Sequence, residues 1–224
     1  MIYKKILVPL DGSKLAEGVI PYVRLLASAL KLPVDLMHVN DPETVAPVHH
    51  RIQGHEYLKE VAVLFTSSMG VNCRVENGRA AEVIVDRASA DAGTLITMAT
   101  HGRSGAQRWL LGSVTQKVLQ VSTDPLLLIR PREETLARDV RLNKIILPLD
   151  GSHLAEKIFS HVIYLANRLG LEVVLIRTYT LPTTGYFLAT GVSPPAIGEL
   201  GDKIKEEATG YLQAKLEELQ AEGI

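Results

Sequence analysis

Three glycine-containing segments of the sequence have the residue types that bind a phosphorylated ligand. Glycine allows the backbone to approach a phosphate closely, and the first amides of a helix attract anions. The third segment reads as a helix start, and its serine and threonine hydroxyls add donors. The segments are Pro9-Leu10-Asp11-Gly12-Ser13, Gly102-Arg103-Ser104-Gly105 and Gly112-Ser113-Val114-Thr115.

Each segment also has a purely structural interpretation. Gly102 and Gly105 can simply shape a turn, and Ser113 can cap a helix, since Ser113 to Gln116 fits a capping box. His101, just before the first of these glycines, either contacts a ribose or phosphate or makes backbone hydrogen bonds in the turn. The segments therefore predict a ligand site only if the fold brings them together.

Short apolar runs alternate with helical patterns through the first 131 residues, which predicts an α/β fold. Pro21 is expected to kink the first helix, and residues 41–54, with two prolines, to form a loop. The alternation predicts a doubly wound, parallel five-stranded sheet with helices on both faces, similar to a Rossmann fold. Ligands bind beyond the carboxyl ends of such strands, where the three segments fall. Strands are predicted at residues 6–8, 34–39, 71–76, 94–99 and 126–129, and helices at 14–31, 55–69, 80–90 and 113–121.

An internal repeat begins near residue 144. Residues 5–13 recur as 144–152, and residues 15–17 recur as 154–156 at the same offset. Helices at 155–169 and 203–220 follow, with a strand at 172–177 and a loop at 181–198, but no counterpart of the later strands. The predicted organisation is a complete domain at 1–131, a charged linker at 132–142 and a partial second copy at 143–224, either truncated or naturally shortened.

Composition and charge exclude several classes of protein. The net charge of −1 argues against a protein that neutralises nucleic-acid phosphates. The single cysteine, Cys73, is interpreted as a core residue, with a reactive thiol as the alternative. The amino-terminal apolar run is too short for a signal peptide or a membrane span, so a cytoplasmic location is expected. His49, His50 and His55 lack a carboxylate or thiolate framework, so no metal site is predicted.

Taken together, the motifs resemble the universal stress protein family. The likeness rests on ILVPLDGS (residues 6–13), the segment from Gly78 to Glu82, and THGRSG (100–105) followed by GSVTQKV (112–118). It covers nearly all of residues 1–131, and the start of the second copy is similar too. The chain therefore looks like the tandem-domain type, with an incomplete second domain.

The resemblance implies a site for an adenine nucleotide. Asp11 would contact the adenine, with Pro9 and Leu10 beside it, and Val39 would line the base pocket through its backbone. The ribose and phosphates would be held by Gly102, Gly105, Gly112, Ser113, Val114 and Thr115, with His101, Arg103 and Ser104 in the same loop.

One departure from the family pattern concerns the phosphate loop. Six residues, Ala106 to Leu111, separate Gly105 from Gly112, which is fewer than in members taken as ATP binders. The loop is therefore expected to enclose a triphosphate less fully. Asp150, the counterpart of Asp11, has no such loop, so the second copy is not expected to bind a nucleotide by itself.

The predicted function is that of a stress-response regulatory protein, a switch gated by ATP with or without Mg²⁺. AMP, ADP and cyclic AMP are the alternative ligands. The chain is not predicted to be an enzyme, because it has no GxxxxGK[ST] motif and no lysine in the candidate phosphate loop. Slow ATP hydrolysis and a nucleotide-independent interaction module stay open as alternatives. Family members commonly pair through the last strand, so a homodimer through Leu126–Ile129 is expected, without nucleic-acid or membrane partners.

Overall fold

The computed structural model of the chain describes residues 2–43, 49–66, 70–101, 111–130, 140–180 and 194–224. The chain forms two compact units, Met1–Arg141 and Leu142–Ile224. Residues 132–139, which are most of the predicted linker, lie outside the described residues. Within the described part, no helix is both long and apolar enough to cross a membrane.

The first unit is built on one parallel sheet. Its strands are β1 Lys5–Pro9, β2 Val34–Asn40, β3 Val71–Asn77, β4 Thr94–Ala99 and β5 Leu126–Ile129. They are arranged in the order β3-β2-β1-β4-β5, so the doubly wound five-stranded fold is confirmed. β1 has β2 on one side and β4 on the other, and this is the switch point at which a ligand crevice is expected.

The helices of the first unit are α1 Lys14–Glu17, α2 Ile20–Leu30, α3 His49–Ala62, α4 Ala80–Ser89 and α5 Ser113–Val121. The sequence predicts a single helix over residues 14–31, whereas the structure has two. α1 ends at Glu17 with Gly18 as its C-cap, and α2 begins at Ile20. Pro21 lies in the first turn of α2, where its missing N–H costs no helical hydrogen bond.

α3 begins earlier than the sequence predicts. The two prolines and Gly54 suggested a loop up to residue 54, whereas the helix already begins at His49. Gly54 is buried in α3, and a Cβ there would lie 3.0 Å from Cδ2 of His38 and 3.5 Å from Cγ2 of Val75. The glycine therefore permits close packing of α3 on β2 and β3, a tertiary effect that outweighs its low helix propensity.

Both faces of the sheet are buried, as the continuous apolar runs of the strands predict. Val8 and Leu36 are fully buried on one face. On the other face, α4 and α5 cover a cluster that includes Leu7, Met37, Ile84, Ile96, Met98 and Val118. The strand ends that carry the predicted site are therefore held by a packed core.

A buried ion pair joins the strands at their amino-terminal ends. Lys5 Nζ lies 3.3 Å from Asp35 Oδ2 and 2.7 Å from Asp91 Oδ2. Asn72 Nδ2 donates a hydrogen bond of 2.8 Å to Asp35 Oδ1. The hydrogen bond from Lys5 also holds the pKa of Asp91 below its ordinary value. These charges lie at the end of the sheet opposite to the predicted ligand site, and they link β1, β2 and β3 to the turn after α4.

Two fully buried threonines on β4 differ in their hydrogen bonding. Thr94 Oγ1 donates to the carbonyl of Asp91 at 2.7 Å, whereas Thr97 Oγ1 has no partner among the described residues. We expect Thr97→Val to raise the free energy of unfolding by about 1 kcal/mol, because a methyl group replaces an unsatisfied hydroxyl. Thr94→Val should lower it by a similar amount. Urea unfolding of both variants measures the two effects, and a destabilised Thr97→Val protein would contradict the first.

The second unit repeats the opening elements of the first. These are β6 Lys144–Pro148, α6 His153–Glu156, α7 Phe159–Leu169, β7 Glu172–Ile176 and α8 Pro194–Ala221. The helix predicted at 155–169 is again split in two, and α8 begins before the predicted residue 203. α8 contributes Leu219 to a core with Leu147 and Phe159. Tyr211 on α8 donates a 2.9 Å hydrogen bond to Glu156 on α6, which lowers the pKa of that carboxyl.

The two units differ in how their equivalent strands are covered. β6 pairs with β7, as β1 pairs with β2, but within the described residues the second sheet has two strands. Leu7 on β1 is 0% exposed, whereas Ile146 at the matching place on β6 is 60% exposed. The difference shows how much of the burial of β1 depends on the strand and helices that follow later in the first unit.

Candidate functional site

The carboxyl ends of β1, β2 and β4 lie side by side and bring several predicted residues to one edge. The strand registers pair Pro9 with Met37 and Leu7 with Ile96. Continued beyond the strands, these registers set Asp11 level with Val39 on one side and with Thr100 on the other. Neighbouring strands are about 4.8 Å apart, so the three positions border one crevice.

Asp11 lies in a tight turn between β1 and α1. Its Oδ1 accepts a 2.9 Å hydrogen bond from the Ser13 amide, and Ser13 Oγ in turn accepts one of 3.1 Å from the Ala16 amide. Gly12 between them has φ of 84°, a conformation that favours glycine. The Asp-Gly-Ser sequence thus fixes the direction of the half-buried Asp11 carboxylate as well as the start of α1.

The same turn is present in the second unit. Gly151 has φ of 87°, and the Ser152 amide donates to Asp150 Oδ1 at 2.8 Å. Hydrogen bonds from the side chain and the backbone of Ser152 hold the pKa of Asp150 below its ordinary value. The turn is therefore a property of the local sequence, whether or not a complete sheet surrounds it.

The peptide before Asp11 is held by β2. The Leu10 amide donates to the Met37 carbonyl at 2.8 Å, and the Leu10 carbonyl lies 2.8 Å from Nδ1 of the buried His38. Pro9, half-buried, ends β1 just before this peptide. Sequence reasoning missed His38. The available signal was a histidine inside the otherwise apolar run of β2.

The end of β2 and the start of α4 form another wall of the crevice. Val39 is half-buried and packs against the core on the side of α4 and α5. Gly78 has φ of 142°, and its amide donates to the Asn40 carbonyl at 3.2 Å. Asp41 Oδ2 accepts a 2.8 Å hydrogen bond from the Ala80 amide at the first turn of α4. Asp41 is a second residue that the sequence did not single out, and its contribution is to anchor this helix start.

The start of α5 differs from the predicted capping box. The N-cap residue is Gly112, which makes no side-chain cap, so Ser113 is already helical. The capping-box interpretation of Ser113 was therefore wrong, although the helix spans the predicted residues 113–121. The Gly112 amide is bound to the Thr100 carbonyl at 2.8 Å, which ties this helix start to the end of β4. Within the described part of the chain, the amides of Ser113, Val114 and Thr115 have no hydrogen-bond acceptor. Among the described residues, nothing therefore competes with an anion for these three amides.

The side chains at this helix start have different environments. Ser113 is exposed, and Val114 is half-buried against the core. Thr115 is buried, and its Oγ1 donates to the Ala99 carbonyl at 3.0 Å. The hydroxyl hydrogen of Thr115 is therefore engaged in joining α5 to β4, which leaves its amide as the available donor.

His101 lies at the end of β4, next to the same crevice. Its Nδ1 is 3.1 Å from Thr100 Oγ1, whereas its Nε2 is buried and has no partner among the residues that the structure describes. A buried nitrogen without a partner is uncommon and indicates a missing hydrogen-bonding group. The loop residues Gly102, Arg103, Ser104 and Gly105 lie outside the described residues.

The crevice combines an acceptor with a set of donors. The Asp11 carboxylate is a hydrogen-bond acceptor at the end of β1. The first amides of α5, which have no acceptor within the described ranges, lie at the positive end of the helix dipole, where an anion is favoured. A ligand with an amino group at one end and an anionic group at the other is complementary to this arrangement.

Comparisons with known proteins agree with the motifs. The universal stress protein family model matches residues 2–130. Universal stress protein MJ0531 of Methanocaldococcus jannaschii is 30% identical over 147 residues, covering 59% of this chain and 86% of its own. A universal stress protein of Mycolicibacterium smegmatis is 22% identical over 227 residues, covering 94% of this chain and 73% of its own.

A solved structure shares the fold across both units. The crystal structure of a universal stress protein from Archaeoglobus fulgidus has a TM-score of 0.66 with this chain, at 18% identity. The match covers 88% of this chain and 74% of that one. Both units therefore have counterparts in a known architecture.

Proposed function

The chain belongs to the universal stress protein family, and from that premise we propose that its first unit binds an adenine nucleotide, ATP foremost, as a ligand-gated regulatory switch. The site is the crevice at the carboxyl ends of β1 and β4. The observation that carries the proposal is the start of α5, which has no side-chain cap and whose first amides have no acceptor among the residues that the structure describes.

The base would lie at the β1–β2 side of the crevice. Asp11 has the acceptor that an adenine amino group needs, and the Ser13 amide holds its carboxylate in place. Val39, level with Asp11, supplies an apolar side chain and backbone groups at the end of β2. Pro9 and Leu10 complete this side, in agreement with the roles that the family resemblance implies.

The phosphates would lie at the start of α5. Amides of Ser113, Val114 and Thr115 would bind phosphate oxygens, with the Gly112 backbone close to the ligand. Nε2 of His101 would gain a ribose or phosphate partner, which accounts for its burial without one. Gly102, Arg103, Ser104 and Gly105 are assigned to the same group from the sequence alone. Mg²⁺, when it accompanies ATP, would be held chiefly by phosphate oxygens and water.

A ligand in this position would act as a switch by linking separate elements. It would bridge the β1–α1 turn and the start of α5, which among the described residues meet through β4 and the Gly112–Thr100 hydrogen bond. A ligand that binds one arrangement of these elements stabilises that arrangement in proportion to its occupancy. Signalling then requires no chemical step, and we propose that turnover of ATP is absent or very slow.

Titration calorimetry with ATP, ADP, AMP and cyclic AMP, with and without Mg²⁺, tests the proposal on the full chain. We expect micromolar binding of at least one of them, about −8 kcal/mol. Gly105→Trp should abolish it by filling the phosphate loop. Failure of all four ligands to bind would overturn the proposal and favour the nucleotide-independent interaction module. Phosphate release during prolonged incubation with ATP tests the slow-hydrolase alternative.

The proposed partner of the first unit is a second copy of the chain, paired through β5. In the described part of the chain, β5 is an edge strand with half-buried leucines. Leu119 and Val121, 50% and 64% exposed, lie on the helix that leads into it. An apolar edge of this kind favours strand pairing between chains.

We expect light scattering to give a dimer mass for the wild type and a monomer mass for Leu119→Lys/Val121→Lys, because two desolvated charges oppose association. Val63→Lys is the matched control, since Val63 is 81% exposed at the end of α3, and it should stay dimeric. A monomeric wild-type protein would remove the dimer from the proposal.

A further inference from the structure

We infer that His38 is a positioning residue that orients Asp11 for base recognition by holding the Leu10 carbonyl. The inference rests on the proposed nucleotide site and adds a residue to it that does not contact the ligand. It predicts that His38 governs selection of the base and leaves phosphate binding unaffected.

The Leu10 peptide is the last one before Asp11, and β2 anchors it at both ends. Its N–H donates to the Met37 carbonyl and its C=O lies 2.8 Å from His38 Nδ1. A carbonyl can only accept, so Nδ1 carries the hydrogen and the imidazole is the donor. The first bond continues the β1–β2 ladder. The second is made by a side chain and fixes the plane of the peptide that leads into Asp11.

The imidazole itself is firmly held. His38 is 9% exposed, and the ring of Tyr57 on α3 meets it edge-on at a centroid distance of 6.2 Å and an angle of 72°. On the same side, Gly54 of α3 leaves room for the ring, since a Cβ there would lie 3.0 Å from His38 Cδ2. A side chain with few accessible rotamers transmits its position to the group that it binds.

The second unit shows what the turn does without this histidine. Arg177 occupies the place that matches His38, and the Leu149 amide still donates to the Ile176 carbonyl at 2.8 Å. Arg177 instead pairs with Glu207 at 3.5 Å and lies 4.8 Å from the ring of Tyr211. The Asp150 turn nevertheless forms with the same glycine conformation and the same Ser152 hydrogen bond.

The two units share this turn but differ in the side chain at the place of His38. In the second unit the Arg177 guanidinium lies 3.2 Å from where a Cβ of Gly151 would be. The Asp-Gly-Ser turn does not need the histidine, because the second unit forms it with an arginine in that place. What the first unit adds is the bond from His38 to the Leu10 carbonyl, which orients the peptide that leads into Asp11. That orientation sets where the Asp11 carboxylate meets the base, beside Val39.

Two substitutions of His38 isolate the donor. His38→Phe keeps an aromatic ring against Tyr57 and removes the hydrogen bond to the Leu10 carbonyl. His38→Asn retains an N–H donor, because its Nδ2 is bonded to Cγ as Nδ1 of histidine is. We expect His38→Phe to raise the Kd for ATP about tenfold and to reduce the preference for ATP over GTP by a similar factor. His38→Asn should restore both to within about threefold of the wild type. His153→Phe, at an exposed histidine of the second unit, should change neither.

Binding of inorganic tripolyphosphate distinguishes a positioning role from a general loss of structure. Its Kd should be the same in wild type and His38→Phe, because the α5 amides are untouched. A parallel loss of tripolyphosphate and ATP binding in His38→Phe would overturn the inference, as would unchanged ATP selectivity in that variant. If the wild-type chain binds neither ATP nor tripolyphosphate, the proposed function itself fails. Thermal unfolding of each variant verifies that it is folded.

Discussion

Asp11→Asn is expected to reverse the base preference of the nucleotide site, from ATP towards inosine triphosphate. In the wild type, the carboxylate can only accept, which suits the amino group on C6 of adenine. In the wild type, the Ser13 amide donates a 2.9 Å hydrogen bond to Oδ1 of Asp11. The asparagine oxygen of the variant can accept the same hydrogen bond, so the turn keeps its acceptor. The asparagine NH₂ group then replaces the other carboxylate oxygen, the one that would face the adenine. Two hydrogen-bond donors, this NH₂ group and the adenine amino group, therefore oppose each other.

The expected change in Kd follows from the cost of placing two hydrogen-bond donors against each other in a partly buried site. We expect the Kd for ATP to rise about 10- to 100-fold, and that for inosine triphosphate, whose O6 accepts, to fall several-fold. Competition titrations of the two nucleotides measure the reversal directly. The matched control is Asp150→Asn in the second unit, which alters the same turn without a phosphate site and should leave both affinities unchanged. Equal weakening of both nucleotides in Asp11→Asn would show that Asp11 maintains the turn without reading the base.

Ser113→Asp is expected to have opposite effects on ligand binding and on stability. A carboxylate at the first helical position interacts favourably with the dipole of α5 and with the amides of its first turn, which lack a side-chain cap. We therefore expect a gain of about 0.3–1 kcal/mol in the free energy of unfolding. The same carboxylate occupies the place proposed for a phosphate, so the Kd for ATP should rise about 100-fold through repulsion and loss of donors.

Adenosine supplies the internal control for this variant. It has no phosphate, so its affinity should change by less than about threefold. Ser113→Asn, which adds a similar side chain without charge, should weaken ATP only slightly. On the same samples, calorimetry measures the loss of ATP affinity and thermal unfolding measures the gain in stability. Unimpaired ATP binding in a stabilised Ser113→Asp protein would mean that the phosphates lie elsewhere.

The sequence was sufficient for the fold of the first unit, because the relevant signals are local. Continuous apolar runs identified β1 and β5, glycine and proline marked the turns, and the repeat of residues 5–13 as 144–152 identified a second copy. The Asp-Gly-Ser turn could also be anticipated, since its hydrogen bonds connect residues two and three positions apart.

Features that depend on distant contacts were not predictable in the same way. α3 includes Gly54 because that residue packs against His38, which is remote in sequence. The Gly112 amide binds the carbonyl of Thr100, which is also remote in sequence, and this bond ties the N-cap of α5 to the end of β4. His38 was missed for the same reason. Its partner is the Leu10 carbonyl on another strand, and a histidine in a buried run gives no indication of what it binds.

The strand order also determines how the first unit can fold. β1 gains β2 through a single connection, since Ile6 pairs with Val34, but gains β4 only when Lys5 meets Thr94 much later in the chain. Closing the longer loop costs more chain entropy, and such distant parallel pairing is slow. The early-folding part is therefore expected to be the β-α-β segment that β6, α7 and β7 reproduce, with docking of β4 as the slow step. Until β4 docks, Leu7 is open to solvent much as Ile146 is, and nascent chains are at their most prone to aggregate.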